Sequence, residues 1–91
     1  FSTRYRATST VGTLLATDQV VEITTGTFAV TLPTAVGIAG RRYDIKNSGT
    51  GVTTLNTTSS QTIDGNASGV LTLNQYDSLT IISNGANWLL F

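Results

Sequence analysis

Apolar and polar residues alternate along this chain in short runs, the signature of half-buried strands and not of helices. Gln19 to Thr24 sets Val21 and Ile23 on one face and Val20 and Glu22 on the other. Phe28, Val30 and Leu32 alternate with Ala29 and Thr31 until Pro33, which cannot donate to a ladder, stops the run. Arg41 to Asn47 resumes the pattern with Tyr43 and Ile45 inward and Arg42, Asp44 and Lys46 outward. Further strands are expected at Val11 to Leu15, Val52 to Thr57, Gln61 to Asp64, Val70 to Asn74, Leu79 to Ser83 and Asn87 to Phe91.

Turn chemistry separates these runs at Thr24 to Thr27, Asp64-Gly65-Asn66 and Asn74 to Asp77. Asn47 to Gly51 reads as a flexible hairpin connection, and Asn84-Gly85 is a strong hairpin signal. Thr34 to Gly40 is loop-like, with space for a single helical turn. The rhythm predicts an all-β fold, an antiparallel β-sandwich of jelly-roll-like form with about eight or nine short strands. Thr-x-Thr triplets such as Thr8-Ser9-Thr10 recur without a fixed period, so neither a solenoid nor an ice-binding threonine ladder is expected.

The terminal run is apolar on both faces. Trp88, Leu89, Leu90 and Phe91, together with Ile81 and Ile82, are expected to lie in the core or against another chain. Trp88 reads as a core or interface anchor, with a carbohydrate-stacking platform as the sharper alternative.

Composition adds constraints. A chain of 91 residues is one domain, and one this short buries roughly 60–65% of its unfolded surface, a marginal core. The chain has no cysteine and no histidine, which removes disulfides and the two best zinc ligands, so association with copies of itself is the remaining reinforcement. Five basic residues balance five acidic ones, without the basic excess of a nucleic-acid binder. Arg4 with Arg6, and Arg41 with Arg42 and Lys46, read as solvated edges or ion pairs. No apolar run approaches the roughly 20 residues that span a bilayer, so membrane insertion is not expected. The start at Phe1, without methionine, suggests a fragment of a longer protein.

The same absences narrow the chemistry. Without histidine or cysteine the usual nucleophile–base pairs cannot form. A carboxylate pair for glycoside hydrolysis stays formally open among Asp18, Glu22, Asp44, Asp64 and Asp77. Each of them, however, sits in a turn or beside alternating strand residues, where carboxylates commonly cap turns. No enzymatic activity, cofactor or metal is expected. Asp64-Gly65-Asn66 spaces oxygen ligands as calcium loops do but lacks further acids, so it reads as an Asx-type turn. Asn56-Thr57-Thr58 and Asn66-Ala67-Ser68 match the N-glycosylation acceptor pattern, which matters only on a eukaryotic secretory route.

From Val20 to Phe91 four segments follow a familiar order. Phe28-Ala29-Val30-Thr31-Leu32-Pro33, Tyr43-Asp44-Ile45-Lys46-Asn47, Thr62-Ile63-Asp64-Gly65 and Ser83-Asn84-Gly85-Ala86-Asn87-Trp88 resemble segments of C-terminal head domains in bacteriophage tail fibres, spikes and appendages. The resemblance implies a homotrimeric virion-surface module that adheres to a host cell-surface glycan or protein. Residues 11–91 would form the head, and residues 1–10, which the resemblance does not cover, a linker or the end of a fibre shaft.

Binding residues in such a head are expected in its loops. The candidates are Asn74, Gln75, Tyr76 and Asp77, with Asp64, Asn66 and Ser68, because Tyr offers a rigid ring to a sugar and Asn and Asp pair with its hydroxyls. Two further readings stay open, a purely structural trimerisation or folding cap and a carbohydrate-binding module.

Overall fold

The structure, a computed structural model, describes residues 4–9, 12–25, 27–66 and 70–91. Among the expected features, Val11, the Phe28 side chain, Ala67 and Ser68 lie outside the described residues. Among the described residues there are nine strands: β1 (Tyr5–Thr8), β2 (Gly12–Thr13), β3 (Val20–Ile23), β4 (Phe28–Thr31), β5 (Arg42–Asn47), β6 (Thr53–Asn56), β7 (Val70–Leu73), β8 (Ser78–Ser83) and β9 (Trp88–Leu90). Among the described residues there is no helix.

The strands form two sheets, one in the order β1-β3-β5-β8-β9 and the other in the order β2-β4-β6-β7. The fold is all-β, but the expected antiparallel sandwich is corrected. β1, β3 and β5 run parallel, as do β2, β4 and β6; β7 and β8 run antiparallel to them, and β9, antiparallel to β8, resumes the direction of β5. A parallel pair needs a long crossover, usually a helix. Here each crossover is itself a strand of the opposite sheet, so the chain winds alternately through both. The connection from Asn47 to Gly51 is likewise a crossing between sheets and not a hairpin. The winding needs no fixed period, because the step from Tyr5 to its partner Val20 is much shorter than the step from Val20 to Asp44.

The alternation places the core as expected along most strands. Val21 and Ile23 of β3, Tyr43 and Ile45 of β5, Val30 and Leu32 at β4, and Leu55 of β6 are buried between the sheets. Trp88 is fully buried, its ring 5.8 Å from that of Tyr43. Ile81 is buried too, and Leu90 packs partly against the core. Ile82 and Leu89 pair across β8 and β9 and are half-buried, while Phe91 is 75% exposed.

β9 is an outer strand, so it is not central in its sheet. Its open side is covered by the chain itself. Trp88 donates its N–H to Thr62 O at 2.9 Å, and Asp64 donates its own to Trp88 O at 3.0 Å. The Asp64 carboxylate then accepts the Leu90 N–H at 3.0 Å. The strand expected from Gln61 to Asp64 is reduced to an isolated bridge between Ile63 and Trp88. The predicted Asn84-Gly85 turn does join β8 to β9 as an antiparallel hairpin, with Gly85 at φ 97°.

Tyr5–Thr8, within the stretch expected as linker or shaft end, forms the parallel outer strand of the five-stranded sheet. Its inward residue, Arg6, makes an ion pair with Asp18.

Asn47, fully buried, ties the crossovers at one end of the sandwich. Its Nδ2 donates to Gly51 O at 2.8 Å and Leu73 O at 3.0 Å, and its Oδ1 accepts the Gly49 N–H at 3.0 Å. Replacing Asn47 with Ala strands three polar groups, at about 1–3 kcal/mol each when buried. A loss of about 3 kcal/mol or more is expected in urea denaturation followed by Trp88 fluorescence. A Cβ on Gly49 would stand 2.8 Å from Thr25 Cα and 3.0 Å from Thr24 O, both backbone atoms. Gly49→Ala is therefore expected to cost about 1–3 kcal/mol by overpacking, and an unchanged midpoint would show that this crossover does not lie against the Thr24–Thr25 turn.

Candidate functional site

The parallel strands give the molecule two unlike ends. At the C-terminal ends of β3 and β5, the turn from Asn74 to Asp77 folds against Asn47. Tyr76 donates its N–H to Asn47 O at 2.5 Å, and Asn47 donates its own to Asp77 O at 3.0 Å. Inside the turn, Asp77 Oδ2 accepts the Asn74 N–H at 2.9 Å and Asp77 N–H reaches Asn74 O at 3.0 Å. The Asp77 carboxylate is thus a turn cap. Gln75 Nε2 lies 3.5 Å from Ser48 O, at the limit of a hydrogen bond.

The Tyr76 side chain, unlike its backbone, makes no hydrogen bond within the turn. Its ring is 64% exposed and its backbone sits at φ 66°, the left-handed region that side chains other than Gly and Asn rarely occupy. The Lys46 ammonium stands 5.9 Å from the ring centroid, the outer limit of a cation–π contact.

Asp64 and Asn66, the other candidate receptor-binding residues, do not join this turn. Asp64 lies beyond β9, level with the β8 residue Ile82, on the order of 15 Å from the turn that leads into Ser78. Its carboxylate already completes the β9 edge. Asn66 donates its N–H to Ile63 O at 2.9 Å and pairs with Ile63 in a short bridge. The sequence candidates therefore divide into one cluster, Asn74 to Asp77, and a separate edge-capping turn.

Trp88 cannot serve as a glycan platform, since it is buried against Tyr43. The outer face of the four-stranded sheet carries Thr13, Thr31, Thr54 and Thr72 in neighbouring register, interrupted by Ala29 and Asn56. Among the described residues, no group of three or more acidic side chains is arranged to hold a metal ion.

The opposite end gathers cations that lie far apart in sequence. Arg4, Arg41 and Arg42 meet at the N-terminal ends of β1, β3 and β5 because the three strands are parallel and in register. The Arg41 guanidinium lies over the Tyr43 ring, 4.1 Å from its centroid. It donates to Arg42 O at 2.7 Å, to Ala16 O at 3.1 Å and to Asp18 O. Arg42 is mostly exposed and reaches Asp44 at 3.3 Å. Lys46 belongs to the other end. The pairwise spacing of these residues carries no sign of this gathering, which only the strand alignment produces.

Asp18 anchors that end from inside. Arg6 grips its carboxylate with two nitrogens, at 2.9 and 2.8 Å, and Leu15 N–H adds a third bond at 2.8 Å. Asp18 is only 4% exposed. The Arg6 hydrogen bonds, helped by the Leu15 N–H, hold its carboxyl below the usual range against the opposing effect of burial. Burial raises the Tyr43 phenol, with Arg41 opposing.

A carboxyl whose folded pKa is depressed stabilises the protein fully above its unfolded value, about 3.9, and loses that contribution as pH falls through the lower folded value. Asp18→Asn is expected to cost about 1–2 kcal/mol at pH 7, discounted because Arg6 is 35% exposed. It should also flatten the decline in stability below about pH 4. Thermal melts from pH 7 to pH 2 measure both effects, and an unchanged acid limb would contradict the assignment. Compared with protein-family models, with curated protein sequences and with solved structures, the chain matches none.

Proposed function

We propose that this chain is a non-catalytic attachment module, the head of a bacteriophage tail fibre or spike, working as a homotrimer at the virion surface. Its partner would be a host cell-surface glycan or protein. The ordered segments from Phe28 to Trp88 support the fibre-head resemblance.

The observation that carries the attachment role is Tyr76. An exposed aromatic held at positive φ, on a turn bonded to the buried Asn47, is a strained position that folding alone does not reward. Such a ring offers a rigid face to a sugar or an apolar side chain at low entropic cost. Asn74 and Gln75 flank it with amides suited to hydroxyl groups.

A second reading, the trimerisation cap, is favoured by the outer face of the five-stranded sheet. Ile82 and Leu89 lie side by side there, and Phe91 adjoins a groove with Val20, Asp44 and Thr80. Single apolar residues on a surface are ordinary, but a contiguous set of this kind commonly marks an interface.

Tyr76→Gly separates attachment from folding. Glycine relieves the positive φ, so stability is expected to hold within about 1 kcal/mol, the lost ring contacts being small. Adhesion of the labelled chain to host envelopes should nevertheless fall at least about tenfold, the scale of losing a stacking anchor. Light scattering during size exclusion should give a mass near three times 9.6 kDa for the native chain and for Tyr76→Gly alike. Under the cap reading Tyr76→Gly leaves adhesion intact, whereas Leu89→Ser with Phe91→Ser reduces the mass to one chain. A native monomer that binds no host envelope would defeat both readings.

A further inference from the structure

Arg4, Arg41 and Arg42 open onto a single trough at the N-terminal ends of β1, β3 and β5. We infer that this trough binds the oxyanion of an acidic saccharide, a uronate carboxylate or a sugar phosphate. The site lies at the opposite end from Tyr76 and goes beyond the attachment reading, since it requires neither a trimer nor a fibre.

Two adjoining clefts make up the trough. One, about 530 Å³, is lined by Gln19, Gly40, Arg41, Arg42 and Asp44. The other, about 390 Å³, is lined by Arg4, Ala16, Thr17, Gln19 and Arg41. Gln19 and Arg41 are common to both. The space suits a charged sugar residue with a neighbour on either side.

Three features make the trough an anion site and not merely a charged edge. First, Arg41 is fixed before any ligand arrives. Its stacking on Tyr43 and its bonds to the Ala16, Asp18 and Arg42 carbonyls hold the guanidinium in one orientation. Those partners are neutral carbonyls, so its positive charge is not cancelled by a carboxylate in contact with it. With both Nη2 hydrogens and one Nη1 hydrogen given to those carbonyls, Arg41 contributes a fixed positive charge at little ordering cost, while Arg42 supplies the planar donor fork for the oxyanion.

Second, the nearest acid is already committed. Asp18 is buried and bonded to Arg6 and to Leu15 N–H. Third, Arg42 is loosely held. Both of its contacts to Asp44 are 3.3 Å, longer than the 2.7–2.9 Å of a strong charge-assisted bond. Asp44 itself accepts the Thr80 hydroxyl. Arg42 can therefore turn from Asp44 to a ligand at small cost. Asp44 opposes anions on that side and limits the site to a single charged group. A polyanion such as nucleic acid would need a basic face continuing beyond the trough, and the chain has zero net charge.

The test is a ¹⁵N NMR titration of the full 91-residue chain at low salt. The probes are trigalacturonate, glucose 6-phosphate and neutral maltotriose. Saturable shifts centred on Gln19, Gly40 and Arg42 are expected from at least one acidic probe and none from maltotriose. The ranking of the two acidic probes identifies carboxylate or phosphate as the source. Arg42→Gln should weaken binding about tenfold, the scale of one charged hydrogen-bonding partner. Arg42→Lys, which keeps the charge but loses the planar fork, should fall between. Arg41 is left intact because it packs on Tyr43. Absence of saturable shifts, shifts centred elsewhere, equal binding of maltotriose or an unchanged Arg42→Gln affinity would overturn the inference. So would a single-stranded DNA oligonucleotide that binds more tightly than either acidic sugar.

Discussion

The hydrogen bonds of the buried Asn47 amide govern how this chain can be wound. A fold in which successive strands belong to opposite sheets must carry its backbone across the sandwich repeatedly, and each crossing brings peptide groups toward an apolar core. Such groups are tolerated only when they are bonded. At one end Asn47 meets the requirement for two crossings together. Its side chain fastens the β5–β6 connection and reaches Leu73 O, while its backbone fastens the β7–β8 turn. At the other end Asp18 and Arg41 bind the Leu15 N–H and the Ala16 and Asp18 carbonyls. A small domain without disulfides uses polar clamps where others use cross-links.

The two clamps also determine what the molecule displays. Each lies beneath a surface feature. Above Asn47 stands the exposed Tyr76, and beside Asp18 stand the guanidinium groups of Arg41, itself part of the clamp, and of Arg42. Rigid crossings thereby become rigid presentation, aromatic at one end and cationic at the other. The faces of the sheets between them offer contrasting surfaces, one rich in threonine and the other mixing Ile82, Leu89 and Phe91 with charged pairs.

Alternation made the inward residues of β3 and β5 readable, and Asn84-Gly85 announced its hairpin, because both signals are local. Strand direction was not readable. A parallel strand with one wet face alternates like an antiparallel one, and the partner is chosen by contacts distant in sequence. β1 was hidden for a different reason. Its core-side residue is Arg6, whose charge is balanced by Asp18, so the usual inward hydrophobe is missing. Asp64 and Asp77 could be recognised as turn carboxylates, whereas the Arg4–Arg41–Arg42 trough exists only once β1, β3 and β5 are aligned.

Hydrogen exchange of the backbone amides tests most directly whether the clamps make the displayed ends as rigid as the core. The Gly49 and Tyr76 amides donate to Asn47, whose own amide donates to Asp77 O. They should exchange only by global unfolding, with the same protection as Ile45 and Leu55 despite lying in surface connections. Exchange at the rate of an open loop, while Ile45 and Leu55 stay protected, would contradict the account.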